Sequence, residues 1–249
     1  MITGPYEKAK KYIESHQIVS LEKYKHPHGP CITISREVGA GADIISEKVC
    51  EKLQKIAKDE FVKWTLFDKN LIEKVIEDNN LPDKLTEYLE EDKITEINSM
   101  VNELLGIYPP TWLLVHKTAQ TILQLASMGN VIIIGRGANI VTAHMQNIFH
   151  VRIAAPLEDR INRIQELFNF SRKEASERIK KDDAIKKHYL KHHYHKNIDD
   201  KYLYHIIINT HLMSYEDAAE LISMHVVNKY PQYFFSHEWT GKGIINKAS

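Results

Sequence analysis

Apolar positions in this chain fall into two patterns that alternate from residue 31 onward. Short runs rich in β-branched residues occupy 31–35 (CITIS), 61–67 (FVKWTLF), 131–134 (VIII), 149–154 (FHVRIA) and 204–209 (YHIIIN), and each predicts a strand. Those at 131–134 and 204–209 are almost continuously apolar, as in strands covered on both faces of a parallel sheet. Between the runs, apolar residues recur at helical spacing. This predicts helices over 44–56, 69–78 and 156–167, and two or three more across 83–128, the last being 111–128. Gly129 closes that segment, and Pro156 suits a first helical turn. Ser171-Arg-Lys-Glu174 reads as a capping box opening a long charged helix, and Ser214-Tyr-Glu-Asp217 opens the last one. Strands alternating with helices predict a doubly wound α/β fold. Outside this pattern, residues 1–29 read as a short amphipathic helix, a polar connector and the punctuating HPHGP stretch, and 229–249 has no clear period.

Composition narrows the function classes. The chain has 249 residues, enough to bury a substantial core, with 43% hydrophobic and 27% charged residues as in an ordinary globular protein. Its 33 basic and 33 acidic side chains cancel, which argues against a general nucleic-acid coat. No stretch approaches the roughly 20 apolar residues of a membrane span. The N-terminus lacks an apolar run of signal-peptide length, so the expected location is the cytoplasm. Cys31 and Cys50 have no metal-like spacing and read as small buried hydrophobes.

Candidate chemistry begins where the first strand ends, in Ser35-Arg-Glu-Val-Gly-Ala-Gly-Ala-Asp43. Glycines at a strand-to-helix turn let backbone N–H groups close around an anion, and the helix dipole assists. A plain glycine-rich βα turn has the same residues. Arg36 lies in this turn and could grip phosphate bidentately, or simply pair with Glu37 at the surface. Arg136 stands at the carboxyl end of a buried strand, where α/β sheets place ligands, although a structural ion pair would also account for it. Asp68 ends the second strand before Lys69 and suits a helix N-cap, a ligand contact, or both. Residues 172–201 are dense in lysine and histidine, including Lys180, Lys181, Lys186 and Lys187. His188 and His192 are four apart and could share a metal, but the surrounding lysines would repel a cation.

Several of these segments together resemble the cytidylate-kinase-like branch of the nucleoside monophosphate kinases, within the P-loop superfamily. ITISREVGAGADIISEKVCEKL resembles the family's opening strand, its SRE-x-G-x-G turn and the following helix. VIIIGRGA at 131–138, APLEDRI at 155–161, the 181–194 lid pattern and Ile208-Asn-Thr210 follow in the family's order, so the resemblance covers about 30–228. It implies a five-stranded parallel sheet with an acceptor-binding insertion at 69–128 and a closing lid at 171–201. It also implies ATP and Mg²⁺ as cofactors. Ser35, Gly39, Ala40, Gly41, Ala42 and Asp43 would form the nucleotide loop, with Asn209 and Thr210 beside the adenine. Asp68, Lys69, Arg136 and Gly137 would bind the acceptor. Arg36, Arg136, Arg160 and Lys187 would stabilise the transferring phosphate, and Asp43 or Asp68 would hold the metal.

Two departures bear on activity. Ala42 stands where an ordinary loop has its phosphate-binding lysine, and Asp43 where it has a magnesium-binding hydroxyl. Gly137 stands where cytidylate kinases carry an aspartate that reads the base or sugar. The expected function is therefore an ATP-dependent phosphotransferase acting on a nucleoside monophosphate or similar small acceptor. Two alternatives stay open: a non-catalytic nucleotide-binding sensor or scaffold, and a small-molecule kinase with a non-nucleotide acceptor. Expected partners are a nucleotide and a small acceptor, without membrane or nucleic acid; a homodimer is left open.

Overall fold

A computed structural model describes residues 29–57, 63–68 and 111–235. The predicted helix at 69–78, Lys69, most of the predicted insertion, residues 1–28 and 236–249 lie outside the described residues. Five strands form one parallel sheet: β1 (Cys31–Arg36), β2 (Thr65–Phe67), β3 (Val131–Ile134), β4 (Ile148–Ala154) and β5 (Ile206–Asn209), in the order β2-β3-β1-β4-β5. β1 is central, with Cys31 opposite Val131 on β3 and Arg36 opposite Ile153 on β4. The helices are α1 (Ala42–Ile56), α2 (Thr111–Met128), α3 (Ala138–Val141), α4 (Leu157–Phe168), α5 (Arg172–Tyr194) and α6 (Tyr215–Lys229). The expected doubly wound sheet is present.

Alternation along the strands explains the winding. Ile32, Ile34, Ile132, Phe149 and Val151 face α1 and α6, where Ile45, Val49, Ile222 and Val226 cover them. Cys31, Val131 and Ile133 point the other way, against Ile122 and Leu125 of α2 and Ala138 of α3. Each such side chain contributes about 1.5–3 kcal/mol by leaving water, so both faces must be covered. Burial pushes the Cys31 thiol pKa up, in keeping with a packing role. Among the described residues no helix is long and apolar enough to cross a membrane.

Strand boundaries move where tertiary partners compete for the backbone. β2 begins at Thr65 because the preceding Trp64 N–H donates to Gln54 Oε1 at 2.8 Å. The Trp64 ring stacks with Phe234 at 6.4 Å, so the chain just beyond α6 packs into the core. β5 begins at Ile206 because a 3-10 turn at Lys201–Leu203 precedes it. The predicted capping box at Ser171 and the Ser214 cap both form. α4 and α5 pack on each other through Ile161, Ile164, Ala175 and Ile179, with Val38 beneath them.

One polar pair interrupts the apolar interior. Thr33 and His150 face each other on β1 and β4, with Thr33 Oγ1 2.7 Å from His150 Nδ1. Burial, with His205 and Lys229 nearby, lowers the His150 pKa from 6.5 to about 4. The folded state thus binds fewer protons here than the unfolded chain. The resulting stability is present above pH 6.5 and is lost as pH falls toward 4. Thermal melts between pH 7.5 and about 4.5 should show a falling Tm, and His150→Gln should lessen that dependence, with His193, which burial likewise lowers to about 4, contributing to what remains.

Candidate active site

β1 delivers Arg36 to the carboxyl edge of the sheet, and the turn into α1 wraps that edge. Gly41 adopts a left-handed φ of 84° as the N-cap of α1, and a Cβ there would fall 2.5 Å from the Tyr215 ring. Only glycine meets both demands. No side chain caps α1, so the α1 N-terminus retains its dipole toward the turn. Ala40 is buried, and its carbonyl accepts from Thr210 Oγ1 at 3.0 Å. Glu37, the surface partner considered for Arg36, accepts from Ala155 N–H at 3.1 Å and pairs with Arg160 Nε at 3.7 Å.

Two cavities flank this edge. An open cleft runs over the 36–43 turn and is walled by Asp68, Arg163, Leu167, Phe168 and Phe170. A more enclosed pocket lies beneath the Gly135-Arg136-Gly137 turn, lined also by Ser35, Asn139 and Tyr189. Arg36 and Lys186 line both. The Arg36 guanidinium lies against Gly135, where any Cβ would collide with it. Arg136 is buried and holds a left-handed φ of 54°, unusual for a residue with a side chain.

α5 is tied to the turn by one carboxylate. Asp183 Oδ1 accepts from Val38 N–H at 3.0 Å, and Asp183 Oδ2 from Arg160 Nη1 at 2.5 Å. Lys186 Nζ lies 3.7 Å from the same carboxylate. Arg160 also donates to Val38 O at 3.4 Å. Arg160 is therefore a buried post behind the turn, and it is Arg163, one turn later on α4, that reaches the cleft. Arg163 Nη2 donates to both Asp43 oxygens at 3.0 Å, and its guanidinium lies 5.2 Å from the Tyr215 ring centre.

Other predicted residues are placed as follows. Lys187 points away and pairs with Asp199 at 2.8 Å, lining neither cavity, whereas the adjacent Lys186 lines both. Thr210 braces the turn, and Asn209 Oδ1 accepts from His211 N–H at 3.0 Å, so both do local structural work. Ser35 Oγ accepts from Arg152 Nη1 at 2.9 Å and lies 3.3 Å from the Tyr204 hydroxyl oxygen, whose own hydrogen goes to Ile198 O at 2.7 Å, while lining the enclosed pocket. Asp68 and Asp43 share the open cleft. His188 and His192 stack at 5.6 Å, and among the described residues no cluster of three metal-ligating side chains occurs.

A sequence profile of the cytidylate kinase-like family matches residues 31–212, which span the turn, both cavities and the α5 arm. This chain belongs to the cytidylate kinase-like family. An uncharacterized protein of Eubacterium ventriosum has a similar crystal structure, with a TM-score of 0.59 at 18% identity over 79% of this chain and 98% of that one. At that identity the likeness concerns the fold. A shikimate kinase of Bacteroides thetaiotaomicron aligns more loosely, with a TM-score of 0.42 at 12% identity over 79% of this chain and 98% of that one. A uronate isomerase of Corynebacterium glutamicum is 27% identical over 115 residues, or 46% of this chain, which spans only 22% of that protein's length.

Within this family member, the Asp183 contacts give a direct test of how α5 is held. Asp183→Ala removes the acceptor of the Val38 N–H and one partner of buried Arg160. It should destabilise the fold by about 2–4 kcal/mol in urea denaturation, whereas Lys187→Ala, at an exposed pair, should cost under about 1 kcal/mol.

Proposed function

We propose that this protein transfers the γ-phosphate of ATP to a small anionic acceptor, such as a nucleoside monophosphate. The observation that carries this reading is the position of Arg36 and Lys186 on the wall common to both cavities. A group moving from one cavity to the other would pass these two cations. Family membership supports the same assignment.

The ATP phosphates would lie over Gly39–Asp43, and its base would rest against Phe168 and Phe170, whose rings stack at 5.5 Å on the cleft wall. Arg136 would anchor the acceptor in the enclosed pocket. An acceptor oxygen attacks the γ-phosphorus in line, forming the new P–O bond as the bond to the departing ADP oxygen breaks. A phosphate acceptor is already ionised, so positioning and charge neutralisation supply most of the catalysis. Arg36 replaces the absent loop lysine as a fork-shaped donor, and Lys186 adds a point charge from the α5 arm. Mg²⁺ is commonly held by one or two carboxylates together with substrate phosphates. Asp43 and Asp68 fit that donor set, and the ion would screen phosphate charge; Asp43 must then share its carboxylate with Arg163 or exchange it.

A second reading, a nucleotide sensor without turnover, has specific support. Ala42 cannot neutralise phosphate, Arg163 occupies Asp43, and Asp183 already accepts from the Val38 N–H. Calorimetric titration with ATP–Mg²⁺ and transfer assays on a nucleoside monophosphate panel separate the two. The phosphotransferase reading expects binding and transfer, with kcat reduced about 10²–10³-fold in Arg36→Ala and in Lys186→Ala but little changed in Lys187→Ala. Binding without transfer to any acceptor selects the sensor, and no binding removes both readings. Phe168→Ala should weaken ATP about tenfold through lost stacking.

A further inference from the structure

At the amino edge of the sheet, opposite the cavities, one lysine is hydrogen-bonded in a way that leaves no place for its charge. His205 stands just before β5, and its Nδ1 accepts the His150 backbone N–H at 2.9 Å. A neutral imidazole whose Nδ1 is an acceptor carries its one hydrogen on Nε2. That Nε2 lies 3.0 Å from Nζ of Lys229, the last residue of α6. Two donors cannot share this contact. Nε2–H must therefore donate to a lone pair on Lys229, and only the uncharged amine has one. Turning the ring over would set a carbon against the His150 N–H and leave that donor unpaired.

The surroundings do not restore the charge. His225 lies one turn earlier on α6, with its ring stacked on Phe149 of β4 at 4.5 Å, and the His150 ring lies 5.1 Å from His205. Ile148 O, 3.4 Å from Nζ, already accepts from Tyr230 OH at 2.7 Å. The rings of Phe149 and Tyr230, 5.8 and 5.2 Å from Nζ, and the C-terminus of α6 attract a cation only weakly. No carboxylate among the described residues pairs with Lys229, His205 or His225. Burial is the main cause that lowers the pKa of all three. Lys229 nevertheless lies at the surface, so a reagent can reach it.

We propose that Lys229 is a modification site whose free amine takes an acyl group from a small acyl phosphate. Nζ attacks the acyl carbon, and the C–N bond forms as the C–O bond to phosphate breaks. The departing phosphate takes the electron pair of that bond and the proton that nitrogen releases. An anionic donor of this kind meets two imidazoles, His205 and His225, and no carboxylate among the described residues. His205 Nε2–H gives up the lone pair as attack begins and can donate to the new acyl oxygen afterwards. The site lies at the other end of the sheet from Arg36 and Lys186 and does not depend on the phosphotransferase reading.

The test treats the full chain with acetyl phosphate at about pH 7.5, where an ordinary lysine is about 0.1% free amine, and follows each lysine by peptide mass spectrometry. Lys173, 86% exposed and beside Glu177, is the internal reference for an ordinary ammonium. Lys229 should react at least about threefold faster, a tenfold larger share of free amine being partly offset by the lower nucleophilicity of a weaker base. In the untreated protein, ¹⁵N NMR should show His205 as the Nε2–H tautomer. His205→Asn keeps an acceptor for the His150 N–H at the place of Nδ1, but its shorter side chain carries no donor at the place of Nε2. It should lower the Lys229 rate and leave that of Lys173 unchanged. Both wild-type measurements stand whether or not this variant folds. A Lys229 rate less than about threefold above that of Lys173, a His205 hydrogen on Nδ1, or a Lys229 rate unaltered or raised in His205→Asn would each overturn the assignment.

Discussion

Parallel pairing of β1 with both β3 and β4 sends three backbones out of the sheet along the same edge. All three strands are buried on both faces, so apart from the Thr33–His150 pair their polar side chains gather at that edge. From β1 come Ser35, Arg36 and the glycine turn; from β3 comes Gly135-Arg136-Gly137; from β4 comes the chain that enters α4 and its arginines. A shift of one residue in the β1–β3 register would exchange the faces of Ile32 and Thr33, exposing apolar surface to the wrong layer. The register that keeps the core covered also sets Arg36 against Gly135.

Charge at this edge is divided between holding and presenting. Arg152 and Arg160 are spent inward, on Ser35, Glu37, Asp199 and Asp183, and they fix the turn and the α5 arm to the sheet. Arg36, Arg136 and Lys186 line cavities instead. The division matters because the turn has lost its lysine. Ala42 leaves the backbone amides and helix dipole of the turn without the loop's own lysine, and the cations lining the same cleft come from the strand before the turn, from α4 and from α5. Asp183 connects these parts, since its one carboxylate meets the turn, Arg160 and Lys186.

Much of the fold was legible in the sequence because its signals are local. β-branched runs, helical periodicity, Ser171 with Glu174, and glycines at a strand-to-helix turn each act over a few residues, and the ordered motifs carried the family resemblance that the profile match bears out. The side chains that face the cavities were less legible. Lys186 and Lys187 are adjacent and chemically identical, and only the packing of Tyr189 and Leu190 rotates the first inward and leaves the second to Asp199. Arg160 and Arg163 are likewise indistinguishable until the turn places Val38 and Asp183 beside one and Asp43 beside the other.

By itself, then, the sequence determined a parallel α/β sheet, an anion-suited turn without its lysine, and a basic helical arm, all of which follow from spacing and residue type. The tertiary structure decided which cations share a wall between two cavities, which arginines are structural posts, and that the amide of Asn139 is buried without an acceptor among the described residues. Those are properties of atoms brought together across more than a hundred residues of chain, as in the Val38–Asp183 contact at a separation of 145. No local period encodes them, because they depend on how two separately formed elements are packed against each other.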